Sequence, residues 1–383
     1  MAQASVGISG ESDARRAGRE AAEAALAELG SADGALLFAG PGYGDDISLL
    51  LDAAVDVLGT EVVVGASAHG VMAAGQEHEE ETAVAVLAWS DLEAVPFLVA
   101  DPSGDEAAVC EEIAMRLGGT PRPEDLVVIL PDPRNFDAEV FLPELAAAVA
   151  PAQVVGAGSG DPLSDAPLQW LGRTVASGGV AGMVLRGRRR PRIEVTQACR
   201  PMTELLTVTR ARGHWVLELD GRPALEVFRE VAKGPLAEDL ERASAFVLAA
   251  IPGEPGAEAL DPGGYLVRHL VGFEPDENAF ALPVALEPGE RMGLALREPE
   301  TAREDLKAML KRAAGADPVL GLYFNCCARG AGFFGVPGLE AAYLENSFRK
   351  TPIAGMFGSC EIGPIAGRPE LLTYTGVLAL VEG

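Results

Sequence analysis

Val63-Val64-Gly65-Ala66-Ser67, Val154-Val155-Gly156-Ala157-Gly158 and Ile353-Ala354-Gly355-Met356-Phe357 are three versions of one phrase: two apolar residues, a glycine, and then the start of a Gly-rich stretch. Working outward from each, the same pattern recurs: strand, helix, strand, loop, helix, strand, Gly-loop, strand. The first copy reads as strands at 4–8, 34–39, 62–65 and 83–89, with helices ending near residue 29 and at 46–58. The second has strands at 95–100, 126–130, 154–156 and 180–185, with helices at 105–117 and 138–150. The third has strands at 292–297, 319–324, 353–355 and 375–381, with helices at 301–313 and 337–346. Their loops cover 66–75, the stretch from 157, and 356–368. Units of this length are too long for a solenoid repeat, so the pattern predicts internal duplication of an α/β module. The fold expected is α/β: duplicated β–α–β modules forming mixed or mostly parallel sheets flanked by helices, with an inserted β-rich segment.

That segment lies between the second and third modules. Gly187-Arg188-Arg189-Arg190 and Pro191 break the pattern, and period-two alternation follows at 193–196, 205–209 and 215–219. Asp220-Gly221 is a favoured tight turn, so these runs read as β-hairpins. A helix is expected at 224–231, and strands at 246–251, 265–271 and 279–284. The chain therefore divides into 1–187, holding two modules, and 188–383, β-rich to about residue 290 and then the third module. Arg186 to Arg192 reads as a linker or an edge strand guarded by charge.

The 383 residues are 48% hydrophobic, enough for a large core. A net charge of −27 repels phosphate backbones and anionic lipid, which argues against nucleic acid and membrane as partners. No apolar run is long enough to span a bilayer, and the N-terminus lacks the order of a signal peptide, so the expected location is cytoplasmic. Five cysteines (Cys110, Cys199, Cys326, Cys327, Cys360) are odd in number and sparse, which fits reduced thiols rather than a disulfide framework. Their spacing does not make a zinc knuckle, so no metal is expected. Gly40-Pro41-Gly42-Tyr43-Gly44 and Gly156-Ala157-Gly158-Ser159-Gly160 lack the Lys-Ser/Thr of a P-loop and stand beside Asp45, Asp46 and Asp161. They read as tight βα turns.

Several short motifs stand in a recognisable order. They are Val64-Gly65-Ala66-Ser67-Ala68-His69-Gly70 before the strand at 83–89, and Leu217-Glu218-Leu219-Asp220-Gly221-Arg222-Pro223-Ala224-Leu225. Further on come Phe324-Asn325-Cys326-Cys327-Ala328-Arg329-Gly330, Phe333-Phe334-Gly335, Gly355-Met356-Phe357 and Glu361-Ile362-Gly363-Pro364. The chain resembles the FIST family, tandem N-terminal and C-terminal FIST domains, over nearly its whole length. Two positions depart from the family's usual N-terminal motif: Ala66 stands where Cys is usual, and Val71 where Glu is. The resemblance implies a sensory protein that binds a small metabolite, an amino acid or other small carboxylate, and signals through a separate protein.

In open α/β sheets ligands sit beyond the carboxyl ends of strands, where these loops emerge. The loop from Asn325 to Gly335 leads towards a helix, so its N–H groups can receive an anion, and Arg329 offers a fork for carboxylate. Glu361 can accept from an amine. The alternative is that Arg329 and Glu361 pair and hold two loops together. The candidate ligand residues are Asn325, Cys326, Arg329, Gly330, Phe357, Cys360, Glu361 and Gly363, with Ser67 and His69 in the N-terminal loop. No catalytic residue is assigned and no cofactor is expected. Two alternatives stay open: a haem sensor of the kind the resemblance allows, with an axial ligand from His69, His78, His214, His269 or a Cys, and an enzyme using a cysteine of the C-terminal loops.

Overall fold

The computed structural model describes residues 2–100, 105–164, 166–233, 238–315 and 317–382. In the first module Gln3–Ser9 (β1), Ala14–Leu29 (α1), Gly34–Ala39 (β2), Ile47–Leu58 (α2), Val63–Ser67 (β3), Gly70–Ala73 (β4), Gln76–Glu79 (β5) and Val84–Ser90 (β6) follow in order. The second has Ala94–Val99 (β7), Glu106–Arg116 (α3), Asp125–Pro131 (β8), Ala138–Val149 (α4), Gln153–Ala157 (β9), Leu168–Leu171 (β10), Thr174–Ser177 (β11) and Val180–Arg186 (β12). The third has Arg192–Gln197 (β13), Pro299–Ala313 (α5), Leu320–Cys326 (β14), Leu339–Ser347 (α6), Ile353–Gly358 (β15), Glu361–Ile365 (β16), Arg368–Leu372 (β17) and Thr375–Val381 (β18).

Each module lays its strands in the same order: β1-β6-β2-β3, β7-β12-β8-β9 and β13-β18-β14-β15. The parallel neighbours in these orders are β2-β3, β8-β9 and β14-β15. The mixed sheets and flanking helices are those the repeat predicts.

One strand of the repeat is corrected. The run around 292–297 was expected to open the third module, but Arg291–Arg297 pairs with Val247–Pro252, Leu206–Arg212 and Cys199–Pro201 in a separate nine-stranded sheet. The opening strand is β13, whose register on β18 (Val195↔Val377) repeats that of β1 on β6 (Ile8↔Ala85). The β-rich segment therefore interrupts the third module between its first strand and its first helix. It packs its own core around Phe228, Phe280, Leu219 and Leu294. Within the module sheet β13 is the edge strand, and Arg192 guards it.

The Gly-rich loops prove to be hairpins. Each closes on two residues, Ala74-Gly75, Gly172-Arg173 and Ala366-Gly367, with positive φ at Ala74 (50), Gly75 (72), Gly172 (57), Ala366 (51) and Gly367 (79). None stays in its own module's sheet. The arm β4-β5 extends the third module's sheet beside β15, β10-β11 extends the first beside β3, and β16-β17 extends the second beside β9. The three modules thus exchange arms in a closed ring.

Gly65, Gly156 and Gly355 explain why the opening phrase repeats. A Cβ there would sit 1.7 Å from the Leu37 carbonyl oxygen, 1.8 Å from that of Ile129 and 1.8 Å from that of Tyr323. Those are the residues paired with the glycines on the neighbouring parallel strand. The incoming arms set Trp170, Ile362 and Met72 opposite the same glycines. Side-chain parity then builds the core. Leu36, Phe38, Leu126, Val128, Leu130, Leu320, Leu322 and Phe324 meet in one central cluster, while Leu37, Ile129 and Tyr323 face helices on the outside.

Candidate functional site

At the end of β14 the chain turns through Cys327–Arg329, Gly330 and a short helix Ala331–Phe334, which Gly335 closes in the left-handed conformation. Cys326 pairs with Gly358, so this loop and the one after β15 leave the sheet at the same end, as expected.

Arg329 does not face solvent, and Glu361 is not its partner. It is 0% exposed and its Nη2 lies 2.6 Å from Glu340 Oε1. The same carboxylate accepts from Tyr323 Oη at 2.9 Å and from Asn325 Nδ2 at 2.5 Å, while Arg329 Nη1 donates to the Tyr374 carbonyl at 3.3 Å. Burial alone would push the guanidinium down; Glu340 outweighs it, and Arg329 stays charged. The sequence reading failed because Glu340 stands on α6, outside every motif.

Glu361 has a different task. Its Oε2 accepts from Thr375 N at 3.2 Å and Thr375 Oγ1 at 2.7 Å, fastening the arm to the start of β18. Burial holds its carboxyl well above the ordinary range. Register shows why this is architecture: Glu361 faces Ala157, Gln169 faces Ala66 and Val71 faces Met356, the three equivalent positions of the exchanged arms. Gln169 Oε1 accepts from Gly179 N at 3.1 Å, just before β12, as Glu361 accepts at the first residue of β18.

The anion-receiving loop is met by a carboxylate of the chain itself. Glu79, on the arm of the first module, accepts from Ala331 N at 2.9 and 2.7 Å, and Glu77 accepts from Ala341 N at 2.6 Å in the first turn of α6. Gly330 has no side chain because a Cβ would fall 1.5 Å from Glu79 Oε2. Burial raises both carboxyls, that of Glu77 to about 7.

Beside this contact opens a cleft of about 390 Å³ lined by Glu79, Glu80, Arg297, Cys327, Gly330 and Phe333, among others. Arg297 is held by stacking, its guanidinium carbon 4.5 Å from the Phe333 ring centre and 4.9 Å from that of Tyr374. It donates through Nη2 to the Ala328 carbonyl, and its buried Nε has no partner.

Of the residues picked out by sequence, Gly330 lines the cleft. Asn325, Cys326, Arg329, Cys360 and Glu361 are buried in or beside the loops behind it. Phe357 packs in the helix-side core, and Gly363 lies on the arm against Val377. Ser67 Oγ accepts from Leu168 N at 2.8 Å, and its carbonyl accepts from Gly160 N at 3.0 Å. His69 N donates to the Phe357 carbonyl at 2.9 Å, and the ring lies against Gly160. Both sit where modules join. The cleft residues missed by sequence are Glu79, Glu80, Arg297 and Phe333: two arrive on an exchanged arm and one on the last strand of the insertion. The run Glu77 to Glu81 in a short alternating stretch was the available signal.

The FIST N domain model matches residues 4–222 and the FIST C domain model residues 224–364. The chain belongs to the FIST family. An uncharacterized protein of Mycobacterium tuberculosis is 32% identical to it over 383 residues, covering 98% of both chains. One of Mycobacterium bovis is 31% identical over 382 residues, covering 98% of this chain and 97% of its own. FIST domains are associated with sensory and signal-transduction roles. No helix among the described residues of this FIST protein is long and apolar enough to cross a membrane.

Proposed function

We propose that this FIST protein is a small-molecule sensor whose ligand, an amino acid or similar small carboxylate, occupies the cleft between the β14 loop and the arm of the first module. The observation that carries the reading is Arg297: a guanidinium stacked between Phe333 and Tyr374 on the wall of a cleft that also holds Glu79 and Glu80. Stacking and the Nη2 bond to the Ala328 carbonyl fix the guanidinium in place, which suits a ligand carboxylate. The two glutamates suit its ammonium. Because the cleft is built by a loop of one module and an arm of another, a bound ligand bears on how modules join, and a separate protein reads that change.

A thermal-shift screen of amino acids and small carboxylates tests this, since a ligand of the folded state raises the melting temperature by mass action. The best hit is then titrated against Arg297→Gln. Loss of a charged hydrogen bond worth about 1.5–3 kcal/mol should weaken binding by roughly ten- to 150-fold. Unchanged affinity overturns the site. A Soret band in the purified protein transfers the sensor reading to haem.

A further inference from the structure

Cys327 differs from the other four thiols. Cys110, Cys199, Cys326 and Cys360 are buried, whereas Cys327 is exposed and lines the cleft. Its chain neighbour Cys326 is a thiol buried behind the cleft. The Cys326 thiol beside it favours the Cys327 thiolate and holds the Cys327 pKa below the usual thiol value, although burial, Glu361 and Cys360 act the other way. Cys327 in turn, with burial, pushes the Cys326 thiol well up. The pair is therefore divided into an accessible nucleophile and a buried proton holder.

We propose that Cys327 is a covalent modification site, attacking hydroperoxides through its sulfur, with Cys326 as the thiol that resolves the product into a vicinal disulfide. The cleft carries Arg297 together with Glu79 and Glu80, a mixed lining that suits a neutral electrophile, and beside Gly332 nothing stands within 4 Å of where a Cβ would sit. In the first step the Cys327 thiolate attacks the outer oxygen of ROOH and the O–O bond breaks. Alkoxide leaves and takes a proton from solvent to become ROH; the sulfur is oxidised to a sulfenic acid and the peroxide is reduced. In the second step the Cys326 sulfur attacks the Cys327 sulfur, the S–O bond breaks, and hydroxide departs as water with the Cys326 proton. Adjacent Cα atoms stand about 3.8 Å apart, closer than the roughly 4.4 Å minimum usual for a disulfide, so the product is strained and readily reduced by thiols. This chemistry does not depend on the nature of the cleft's small-molecule ligand.

The test uses the full chain. Limiting iodoacetamide at pH 7 followed by peptide mapping should label Cys327 at least about tenfold faster than any other cysteine. Hydrogen peroxide should then remove two hydrogens from the wild-type peptide bearing Cys326 and Cys327, reversibly with dithiothreitol. In Cys326→Ser the same treatment should leave a dimedone-trappable sulfenic acid on Cys327. Labelling of Cys327 no faster than the buried thiols overturns the site. A Cys327–Cys360 crosslink, or sulfinic acid on Cys327 in the wild type, overturns the role of Cys326.

Discussion

Replacing Glu340 by Gln removes the carboxylate that pairs directly with Arg329, and the consequence can be worked from the contacts. The Glu340 carboxylate receives Arg329, Tyr323 and Asn325, each 0% exposed. A guanidinium does not deprotonate to escape burial, so the variant keeps a buried, unpaired positive charge and sets an amide NH₂ among donors. Breaking a buried pair from one side costs about 3–5 kcal/mol. Glu361→Gln makes the same change in composition at an equally buried carboxyl and should cost less than about 1 kcal/mol, because burial already disfavours the charged form of that carboxyl and an amide oxygen can take the Thr375 N–H as Gln169 takes Gly179 N. Urea unfolding at pH 7, followed by fluorescence of the buried Trp89 and Trp170, reads both as shifts in midpoint at constant slope. The double variant Arg329→Met, Glu340→Leu should be milder than Glu340→Gln alone, since it removes both charges. A Glu340→Gln protein within about 1 kcal/mol of wild type would refute the reasoning and reopen the view of Arg329 as a free ligand clamp.

Gly355→Ala should lose more than about 3 kcal/mol or fail to fold, because its Cβ would meet a backbone oxygen 1.8 Å away; Gly332→Ala, with nothing within 4 Å, should stay within about 0.5 kcal/mol in the same urea unfolding curves. Glu77 has a folded pKa of about 7 against an ordinary 4.5, so its contribution to stability is complete below pH 4.5 and is lost as pH rises through 7. In paired unfolding curves from pH 4.5 to 7.5, wild type should lose on the order of 1–3 kcal/mol more than Glu77→Gln, and parallel curves would show that the carboxyl is not perturbed. Residues 1–187 expressed alone should aggregate, because Val71 and Met72 lose β15 and the edge of β9 loses β16; co-expression with 188–383 should restore a soluble complex. A soluble, cooperatively melting 1–187 fragment would contradict the arm exchange.

The repeat was legible because it is written in hydrophobic period and in three glycines whose backbone crowding is identical. The arm exchange was not, because pairing partners far apart in sequence leave no local trace. The arms also turn on Ala74-Gly75, Gly172-Arg173 and Ala366-Gly367 rather than on an Asn-Gly or Asp-Gly that would announce a hairpin. The opening strand of the third module was misplaced for a related reason. Arg291–Arg297 is an apolar strand in front of a helix, and nothing local says that its hydrogen bonds go to the inserted sheet. The candidate site followed the same rule. Motif reading found the β14 loop and its capacity for an anion, both local properties, but Glu79 comes from 252 residues away and Glu340 from a helix with no signature. What these misses share is the joint between modules. Ser67, His69, Glu77, Glu79, Gln169 and Glu361 all spend their polar groups on it, either across a module boundary or at the root of an exchanged arm. A ligand that competes for even one of these contacts acts on the closure of the whole ring, which gives the protein a physical route from binding to a change that another protein can read.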